Sequence, residues 1–405
     1  MAERLDVCIE WAGATVEVGT LYPSDRSGAV GFEYAREWLA RSDAFAVDPV
    51  ALPLRSGVFH ASELPGAFAD SGPDRWGRIV IDRSVRLGVL DRRPYRAIDY
   101  LLAVEDEARV GALRFRPAGT AGFLGATRGV IPPLVRLREL LAATDAVHDH
   151  RATARDLAFL LGAGSPLGGA RPKCLVSLPD GRLAIAKFSK PDDTRDIASG
   201  EVLALAVARA AGIRTADHRL VMVDGRGVAI VERFDRDGSD RIPFVSAATL
   251  LGLLPDDPGS YTRLADAIRA HGHAVTADLA ELWRRLVYSI LIGNVDDHMR
   301  NHGFLMQTAG EWSLAPAYDV NPTPLIDRAH ERQTPVSEDS PRPADSAAEL
   351  EDAIAHAARF GLRPGTTRAI LAEVRAAVAG WREISARLGL GPAAIAAYAD
   401  VFEPG

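Results

Sequence analysis

Short β-prone runs separated by turn residues occupy the first part of the chain. Residues 7–11 and 14–19 are two such runs, and Gly, Pro and Asp interrupt the region frequently. Strands joined by turns have this pattern. It predicts a small β-rich N-terminal subdomain over residues 1–118. Leucines with helical spacing then predict a helical connector over residues 119–150.

A hairpin pattern begins near residue 173. Two apolar runs lie on either side of a Pro-Asp-Gly turn at residues 179–181, and a helix-compatible stretch closed by Gly212 follows. The predicted elements of this region are a hairpin, a helix and two further strands, at residues 173–178, 183–188, 199–211, 220–223 and 228–231. Residues 151–240 are therefore predicted to form a β-rich lobe with one helix.

Helical periodicity dominates the remaining residues, 241–405. Apolar residues recur every three or four positions over residues 279–290, which predicts a helix with one broad apolar face. A short hairpin is expected after it, at residues 303–306 and 312–314. The segment 329–345 is rich in Pro, Ser and charged residues and predicts a long exposed loop, and the Ala-rich stretch that follows predicts helices. A β-rich lobe followed by an α-rich lobe is the order of a two-lobed nucleotide-binding architecture.

The composition narrows the class of protein. The 405 residues are 47% hydrophobic and 25% charged, the balance of a globular protein rather than of a disordered chain or a coiled-coil rod. Only Cys8 and Cys174 are present, which excludes a disulfide framework and a four-cysteine zinc site. The net charge of −7 disfavours DNA binding through a basic face. The mixed-charge start, and apolar runs shorter than the roughly 18–20 residues that span a bilayer, predict a cytoplasmic protein without membrane contact.

A glycine-rich segment, residues 162–173, is the first candidate for chemistry. Glycines let backbone N–H groups approach phosphate oxygens, but this spacing matches neither common phosphate-binding motif, and a flexible loop explains the segment better by itself. Lys187, at the end of a predicted strand, could hold nucleotide phosphates if Glu201 on the next helix oriented it. Taken alone, Lys187 is typical of a solvated edge-strand lysine.

The strongest candidate follows the long amphipathic helix, at residues 293–301. Its aspartates, histidine and asparagines are costly to bury without a metal, a phosphate or partner groups. Asp296 could accept a proton from a substrate hydroxyl and Asn301, five residues later, could ligate Mg²⁺, the spacing of a protein-kinase catalytic loop. Asp319 lies 23 residues after Asp296, where the hairpin could return it as a second magnesium ligand. A polar helix-capping turn is the alternative interpretation.

These motifs occur in the order that ATP-dependent phosphoryl transfer requires. Together they resemble the HipA-like serine/threonine kinases, the toxin component of bacterial toxin–antitoxin modules, over nearly the whole chain. Residues 165–173 look like the family's Ser-x-x-Gly-Gly-Ala-x-Pro-Lys segment, and residues 294–301 look like its Asn-x-Asp-x-His-x-Lys-Asn catalytic loop. Tyr318 and Asp319 match its metal-binding Tyr-Asp pair.

The N-terminal part supports the same resemblance. Residues 73–78 are similar to the family's Pro-Asp-Gly-Trp-Gly-Arg motif. Two positions depart from the pattern: Arg300 replaces the commoner lysine and keeps its charge, and Arg75 stands where glycine is usual.

The resemblance implies an α+β, two-lobed protein-kinase-like fold. Its β-rich N-lobe would cover residues 151–240 and its all-α C-lobe residues 241–405, preceded by the small β-rich N-terminal subdomain. ATP and Mg²⁺ are the implied cofactors. The implied roles are a catalytic base at Asp296, Mg²⁺ ligands at Asn301 and Asp319, an autophosphorylation site at Ser165, and ATP contacts from Gly168, Gly169, Ala170, Lys173, Lys187, Glu201, Glu232, Phe234 and His298.

The implied function is that of a toxin that phosphorylates serine or threonine on a translation-related protein, such as a glutamyl-tRNA synthetase. A small helix-turn-helix antitoxin, HipB-like, is the implied partner, so that DNA contact is indirect. Three alternatives stay open: a small-molecule phosphotransferase on a similar fold, a non-catalytic regulator that binds the antitoxin, and a metal-dependent phosphohydrolase using Asp296, Asp297 and His298. The phosphohydrolase would leave the glycine-rich segment and Lys187 without a role.

Overall fold

A computed structural model describes residues 4–24, 28–125, 131–163, 169, 171–254, 257–324, 332–340 and 345–403. The chain divides into two compact units. The first unit comprises Met1–Asp192, Val223–Gly225 and Glu232–Val245, and the second comprises Asp193–Met222, Arg226–Val231 and Ser246–Gly405. Within the described ranges, no helix is both long enough and apolar enough to cross a membrane.

A five-stranded antiparallel sheet forms the start of the first unit. Its strands are β1 (Leu5–Trp11), β2 (Ala14–Pro23), β3 (Val30–Tyr34), β4 (Val58–Ala61) and β5 (Leu113–Pro117), in the spatial order β4-β3-β2-β1-β5. Phe32, Phe68 and Phe115 pack edge to face and are buried against the sheet. Residues 7–11 and 14–19, which the sequence pattern predicted as short strands, lie in β1 and β2.

Helices make the first unit more mixed than its sequence pattern indicates. They are α1 (Arg36–Leu39), α2 (Gly66–Asp70), α3 (Arg75–Arg86), α4 (Ala97–Ala103), α5 (Leu137–His148) and α6 (Ala154–Gly162), with a 3-10 turn at Leu134–Arg136. Among the described residues of the predicted connector, 119–125 and 131–150, the first helical turn begins at Leu134. Asp74 caps α3 by accepting a hydrogen bond from the backbone N–H of Gly77 at 2.7 Å, and Trp76 is buried, so that the 73–78 motif is a helix start with a core anchor.

The middle of the chain follows the predicted pattern. The hairpin is formed by β6 (Lys173–Ser177) and β7 (Leu183–Phe188), followed by α7 (Ile197–Ala210), β8 (His218–Val223) and β9 (Arg226–Glu232). Three short strands come next, β10 (Arg236–Asp237), β11 (Asp240–Arg241) and β12 (Phe244–Ser246). Gly181 has a φ of +86°, a conformation that favours glycine, which explains why the Pro-Asp-Gly sequence makes this turn.

A buried ionic cluster fixes the segment after β9 within the first unit. Asp235 accepts hydrogen bonds from Arg233 Nε at 2.6 Å, Arg236 Nη1 at 2.8 Å and the backbone N–H of Gly111 at 2.7 Å. Arg233 also donates to the backbone carbonyl of Ala108 at 3.0 Å. Burial alone would raise the pKa of Asp235, but Arg233 and Arg236 outweigh it and hold the pKa well below its usual range.

Acid should therefore destabilise the first unit. A carboxyl group with a lowered pKa in the folded state contributes stability that is complete above its unfolded pKa, about 3.9, and that is lost as the pH falls below it. We expect urea denaturation to give a smaller free energy of unfolding at pH 3 than at pH 5. The isosteric variant Asp235→Asn should show a weaker dependence over this interval, and an unchanged dependence would contradict the role of Asp235.

The second unit is built mainly from helices. They are α8 (Ala247–Leu250), α9 (Tyr261–His271), α10 (Val275–Leu291), α11 (Ser346–Ala355), α12 (Pro364–Ala379), α13 (Trp381–Arg387) and α14 (Pro392–Phe402), with 3-10 turns at Met299–Asn301 and Ala357–Phe360. The predicted apolar face of α10 is buried, and Trp283 on that face donates to the backbone carbonyl of Ala353 at 3.0 Å.

Two features of the second unit differ from expectation. The all-α prediction for residues 241–405 is wrong, because β13 (Gly303–Thr308) and β14 (Glu311–Leu314) form the hairpin that the local pattern had indicated. The prediction of an exposed loop is wrong for the beginning of the described segment 332–340. Thr334 and Val336 are buried there. Hydrogen bonds from the backbone N–H groups of Tyr261 and Thr262 to the carbonyls of Pro335 and Val336 hold this part of the chain against α9.

Candidate active site

The residues predicted to contact ATP fall into both units. Ser165, Gly168 and Ala170 lie outside the described residues. Gly169, Lys173, Lys187, Glu232 and Phe234 belong to the first unit, and Glu201 and His298 belong to the second together with the predicted catalytic and metal-binding residues. Glu201 is buried on α7.

The motif at the start of α3 holds the end of the glycine-rich segment. The backbone N–H of Trp76 donates to the carbonyl of Gly169 at 3.3 Å, and its indole Nε1 donates to the carbonyl of Lys173 at 3.1 Å. The Lys173 ammonium lies 3.3 Å from a carboxylate oxygen of Asp74, and its side chain is only 2% exposed. A buried ammonium requires a counter-charge, so Lys173 has a structural role here, and its contact with ATP stays a prediction.

Lys187 lies directly opposite Lys173 in the hairpin. Opposed residues on antiparallel strands share one face of the sheet, so the two lysine side chains leave the hairpin on the same face. Two further predicted ATP contacts, Glu232 and Phe234, have partners of their own in the first unit. Glu232 forms an ion pair with Arg182, and the ring centroids of Phe234 and Phe244 are 6.5 Å apart. The predicted roles of these residues toward ATP stay predictions.

The predicted catalytic loop begins where α10 ends. Gly293 has a φ of +57°, which turns the chain away from the helix axis, and the backbone N–H of Asn294 bonds to the carbonyl of Ser289 at 2.9 Å. This is a common helix C-terminus, with glycine in the left-handed conformation. The five residues after it lead into the 3-10 turn at Met299–Asn301.

Asp297 is the anchor of this loop. It is buried, and four side chains donate to its carboxylate: the Tyr261 hydroxyl, Ser289 Oγ at 2.8 Å, Arg332 Nη1 at 2.8 Å and His302 Nε2 at 3.0 Å. Burial alone would raise the pKa of Asp297, but these partners outweigh it and hold the pKa well below its usual range. A buried carboxylate held by four donors is a structural anion rather than a proton acceptor.

Asp296, next in sequence, has the opposite surroundings. The residue is exposed, and its Oδ1 accepts a hydrogen bond from Gln333 Nε2 at 2.8 Å. Partial burial of the carboxylate raises its pKa, and the negative charge of Asp319 raises it further, whereas His298 and Gln333 act in the opposite direction. An accessible carboxylate with a raised pKa is suited to accept a proton.

Asn301 and Asp319 line one cavity of about 30 Å³ in the second unit. Asn301 Nδ2 donates to the carbonyl of Asp296 at 3.0 Å. Asn294 lines the same cavity, and its buried Oδ1 has no hydrogen-bond partner among the described residues. The cavity is lined by apolar as well as polar side chains and has space for a water molecule or an ion, and the side-chain oxygens of Asn294, Asn301 and Asp319 are of the type that Mg²⁺ prefers.

The backbone of Asp319 is unusual. Its φ of +55° lies in the left-handed region, where aspartate and asparagine are the most tolerated residues after glycine. Tyr318 fixes the preceding position by donating from its hydroxyl to the carbonyl of Arg300 at 2.9 Å. The pair Tyr318-Asp319 is thus held to the end of the catalytic loop. In the described part of the chain, no group of three or more His, Cys, Asp or Glu side chains could hold a metal ion, so that Mg²⁺ would need phosphate oxygens as further ligands.

Three residues of this site were missed by reasoning from the sequence. Asn294 belongs to the motif at residues 294–301 but was given no role of its own. Arg332 and Gln333 lie in the segment predicted as an exposed loop. Neither periodicity nor motif spacing could identify Arg332 or Gln333, because their contacts with Asp297 and Asp296 span more than 30 residues.

Comparisons with known proteins place this fold and this site in a family. The model of the HipA N-terminal domain matches residues 11–116, and the model of the HipA-like C-terminal domain matches residues 165–381. The chain therefore belongs to the HipA family, which confirms the resemblance inferred from its motifs.

Curated relatives and a solved structure agree with this assignment. In Sinorhizobium fredii, "putative kinase Y4mE" is 26% identical over 74% of this chain and 73% of its own length, and "putative kinase Y4dM" is 31% identical over 31% of this chain and 34% of its own length. A chain in the Shewanella oneidensis MR-1 toxin–antitoxin complex of HipA, HipB and operator DNA matches with a TM-score of 0.71 and 16% identity, covering 98% of this chain and 95% of that chain. The mixed α/β fold is thus that of a HipA chain.

Proposed function

We propose that this protein is a Mg²⁺- and ATP-dependent kinase that phosphorylates serine or threonine on a protein. One observation carries the proposal: the negative charge of Asp319 acts on the exposed Asp296, and Asp319 lines the same cavity as Asn301. The two turns that the sequence placed 23 residues apart therefore converge. The names of the Sinorhizobium fredii relatives support the same reaction class.

The chemistry follows from this arrangement. The substrate hydroxyl oxygen forms a bond to the γ-phosphorus of ATP, the bond between that phosphorus and the β,γ-bridging oxygen breaks, ADP leaves, and the hydroxyl proton passes to Asp296. Asn301 and Asp319 would hold Mg²⁺, which would offset the negative charge of the phosphates. Lys187 would bind phosphate oxygens, and Glu232 and Phe234 would meet the adenine.

The biological setting is proposed on the same basis. In the complex from Shewanella oneidensis, HipA is bound with HipB and operator DNA. We propose that this chain is likewise the toxin of such a module, with a small DNA-binding antitoxin as its partner and a translation-related protein as its target. Autophosphorylation at Ser165 would then regulate it, since a phosphate adds nearly two negative charges to a glycine-rich segment.

The metal site offers the first test. Asp319→Asn keeps a side chain that tolerates the left-handed backbone but removes the carboxylate charge. We expect calorimetry to show Mg²⁺-ATP binding to the variant weakened by at least about tenfold, the lower end of what an outer-shell metal partner contributes. Binding of ATP without Mg²⁺ should change little. Equal Mg²⁺-ATP affinity in both proteins would contradict the assignment of Asp319.

The substrate class needs a separate experiment. Incubation of a cell lysate with labelled ATP should place label on proteins, on serine or threonine. Label found only on small molecules would favour the small-molecule phosphotransferase instead.

A further inference from the structure

A partly buried segment of chain runs beside the predicted catalytic loop in the second unit. It comprises residues 332–336, and its carbonyls at Pro335 and Val336 accept hydrogen bonds from the backbone N–H groups of Tyr261 at 3.1 Å and Thr262 at 3.0 Å. These N–H groups belong to the first turn of α9, where a helix leaves donors unpaired. The segment is therefore fixed by the start of a helix rather than free in solvent.

The beginning of this segment is fixed still more firmly. The side chain of Arg332 is only 6% exposed and lies between two carboxylates, 2.8 Å from Asp297 Oδ2 and 2.5 Å from Glu349 Oε1. Its Nη1 also donates to Ser289 Oγ at 2.8 Å. These contacts hold the Arg332 side chain in place, and this constrains the position of the residue that follows it in the chain.

Gln333, the next residue, makes two hydrogen bonds to the predicted catalytic loop. Its backbone N–H donates to the carbonyl of Val295 at 3.2 Å, and its Nε2 donates to Asp296 Oδ1 at 2.8 Å. Only one of the two carboxylate oxygens of Asp296 is engaged by this amide, and Asp296 remains exposed. The contact therefore orients the carboxylate without covering it.

We infer that Gln333 is a positioning residue for the catalytic base: its amide holds Oδ1 of Asp296, so that Oδ2 faces the substrate hydroxyl. This inference rests on the proposed function, in which Asp296 accepts the hydroxyl proton. A neutral amide is suited to the task, because it stabilises the ionised carboxylate without the strong charge pairing that would suppress its basicity.

The contact gives the positioning role a readout of its own. Loss of the amide should leave the carboxylate of Asp296 less well oriented, so kcat should fall while KM for ATP stays unchanged. A residue that served only to support the fold would not separate kcat from KM in this way.

The test uses the full-length protein with Mg²⁺-ATP and three variants. Gln333→Leu removes the donor, Gln333→Glu replaces it with a negative charge beside Asp296, and Glu338→Gln alters an exposed residue just beyond the segment as a control. We expect Gln333→Leu to lower kcat by roughly tenfold, as for one lost hydrogen bond to a charged group, with KM for ATP unchanged. Gln333→Glu should lower kcat at least as much, and Glu338→Gln should keep the wild-type kcat.

The outcomes separate this inference from the proposed function. If the wild-type protein is active and Asp296→Asn is not, but Gln333→Leu keeps the wild-type kcat, the positioning role is overturned while the kinase stands. A higher kcat in Gln333→Leu would overturn it in favour of an inhibitory contact. Wild-type protein that transfers no phosphate would overturn both. Because Gln333 is exposed, circular dichroism should show that each variant folds.

Discussion

Asp296→Asn should lower the rate of phosphoryl transfer by roughly 10²–10⁴-fold, the usual contribution of a general base. Asparagine has nearly the same shape as aspartate, and its carbonyl oxygen can still accept the hydrogen bond from Gln333, but its amide cannot take up the substrate proton. The measurement is the initial rate of label transfer from ATP to protein at saturating Mg²⁺. Affinity for Mg²⁺-ATP should change much less than kcat.

The matched control for this variant is Asp217→Asn, which makes the same chemical change at an exposed ion pair with Arg209 in the same unit. Its rate should equal that of the wild-type protein. If Asp296→Asn were as active as this control, the carboxylate of Asp296 would not be the base, and the mechanism proposed above would be wrong.

Asp297→Asn should have its main effect on stability. The substitution removes a buried charge and turns one acceptor into a donor that faces the hydroxyls of Tyr261 and Ser289 and the side chains of Arg332 and His302. Breaking a buried ion pair by removing one partner typically costs 3–5 kcal/mol. Glu349 still offsets part of the charge of Arg332, so we expect a loss of about 3 kcal/mol in the free energy of unfolding.

Urea denaturation followed by far-UV circular dichroism would measure this loss. Hydrogen exchange of peptides from α10 would assign it to the second unit, because Ser289 on that helix contacts Asp297 directly. Asp217→Asn is again the control and should cost less than about 1 kcal/mol, as exposed ion pairs do. A similar small cost for Asp297→Asn would show that the four contacts stabilise the loop much less than their burial indicates.

Local features of the fold were accessible from the sequence. The β6–β7 hairpin, α7 and the β13–β14 hairpin each combine a periodic apolar pattern with a Gly-containing turn or stop, and such information is contained within about 20 residues. The prediction of an all-α C-terminal region was wrong because it followed the helical periodicity that dominates residues 241–405 and neglected one short hairpin within them.

Long-range contacts were not accessible in this way. The motif spacing selects Asp296 as the base, but it does not reveal that Asp296 is exposed whereas Asp297 is buried and accepts four hydrogen bonds. Arg332 is one of these four partners, and a sequence without known contacts does not reveal a contact that spans 35 residues. The burial of Lys173 beside Asp74, which is nearly 100 residues away, was hidden for the same reason.

The left-handed backbone at Asp319 restricts how this position can change during evolution. Few side chains besides glycine, asparagine and aspartate adopt that conformation at low cost, and of these only aspartate brings a negative charge. A lineage that loses catalysis here is therefore expected to do so through asparagine or glycine, with the fold intact. Such descendants would remain folded proteins without enzymatic turnover, available for purely regulatory roles.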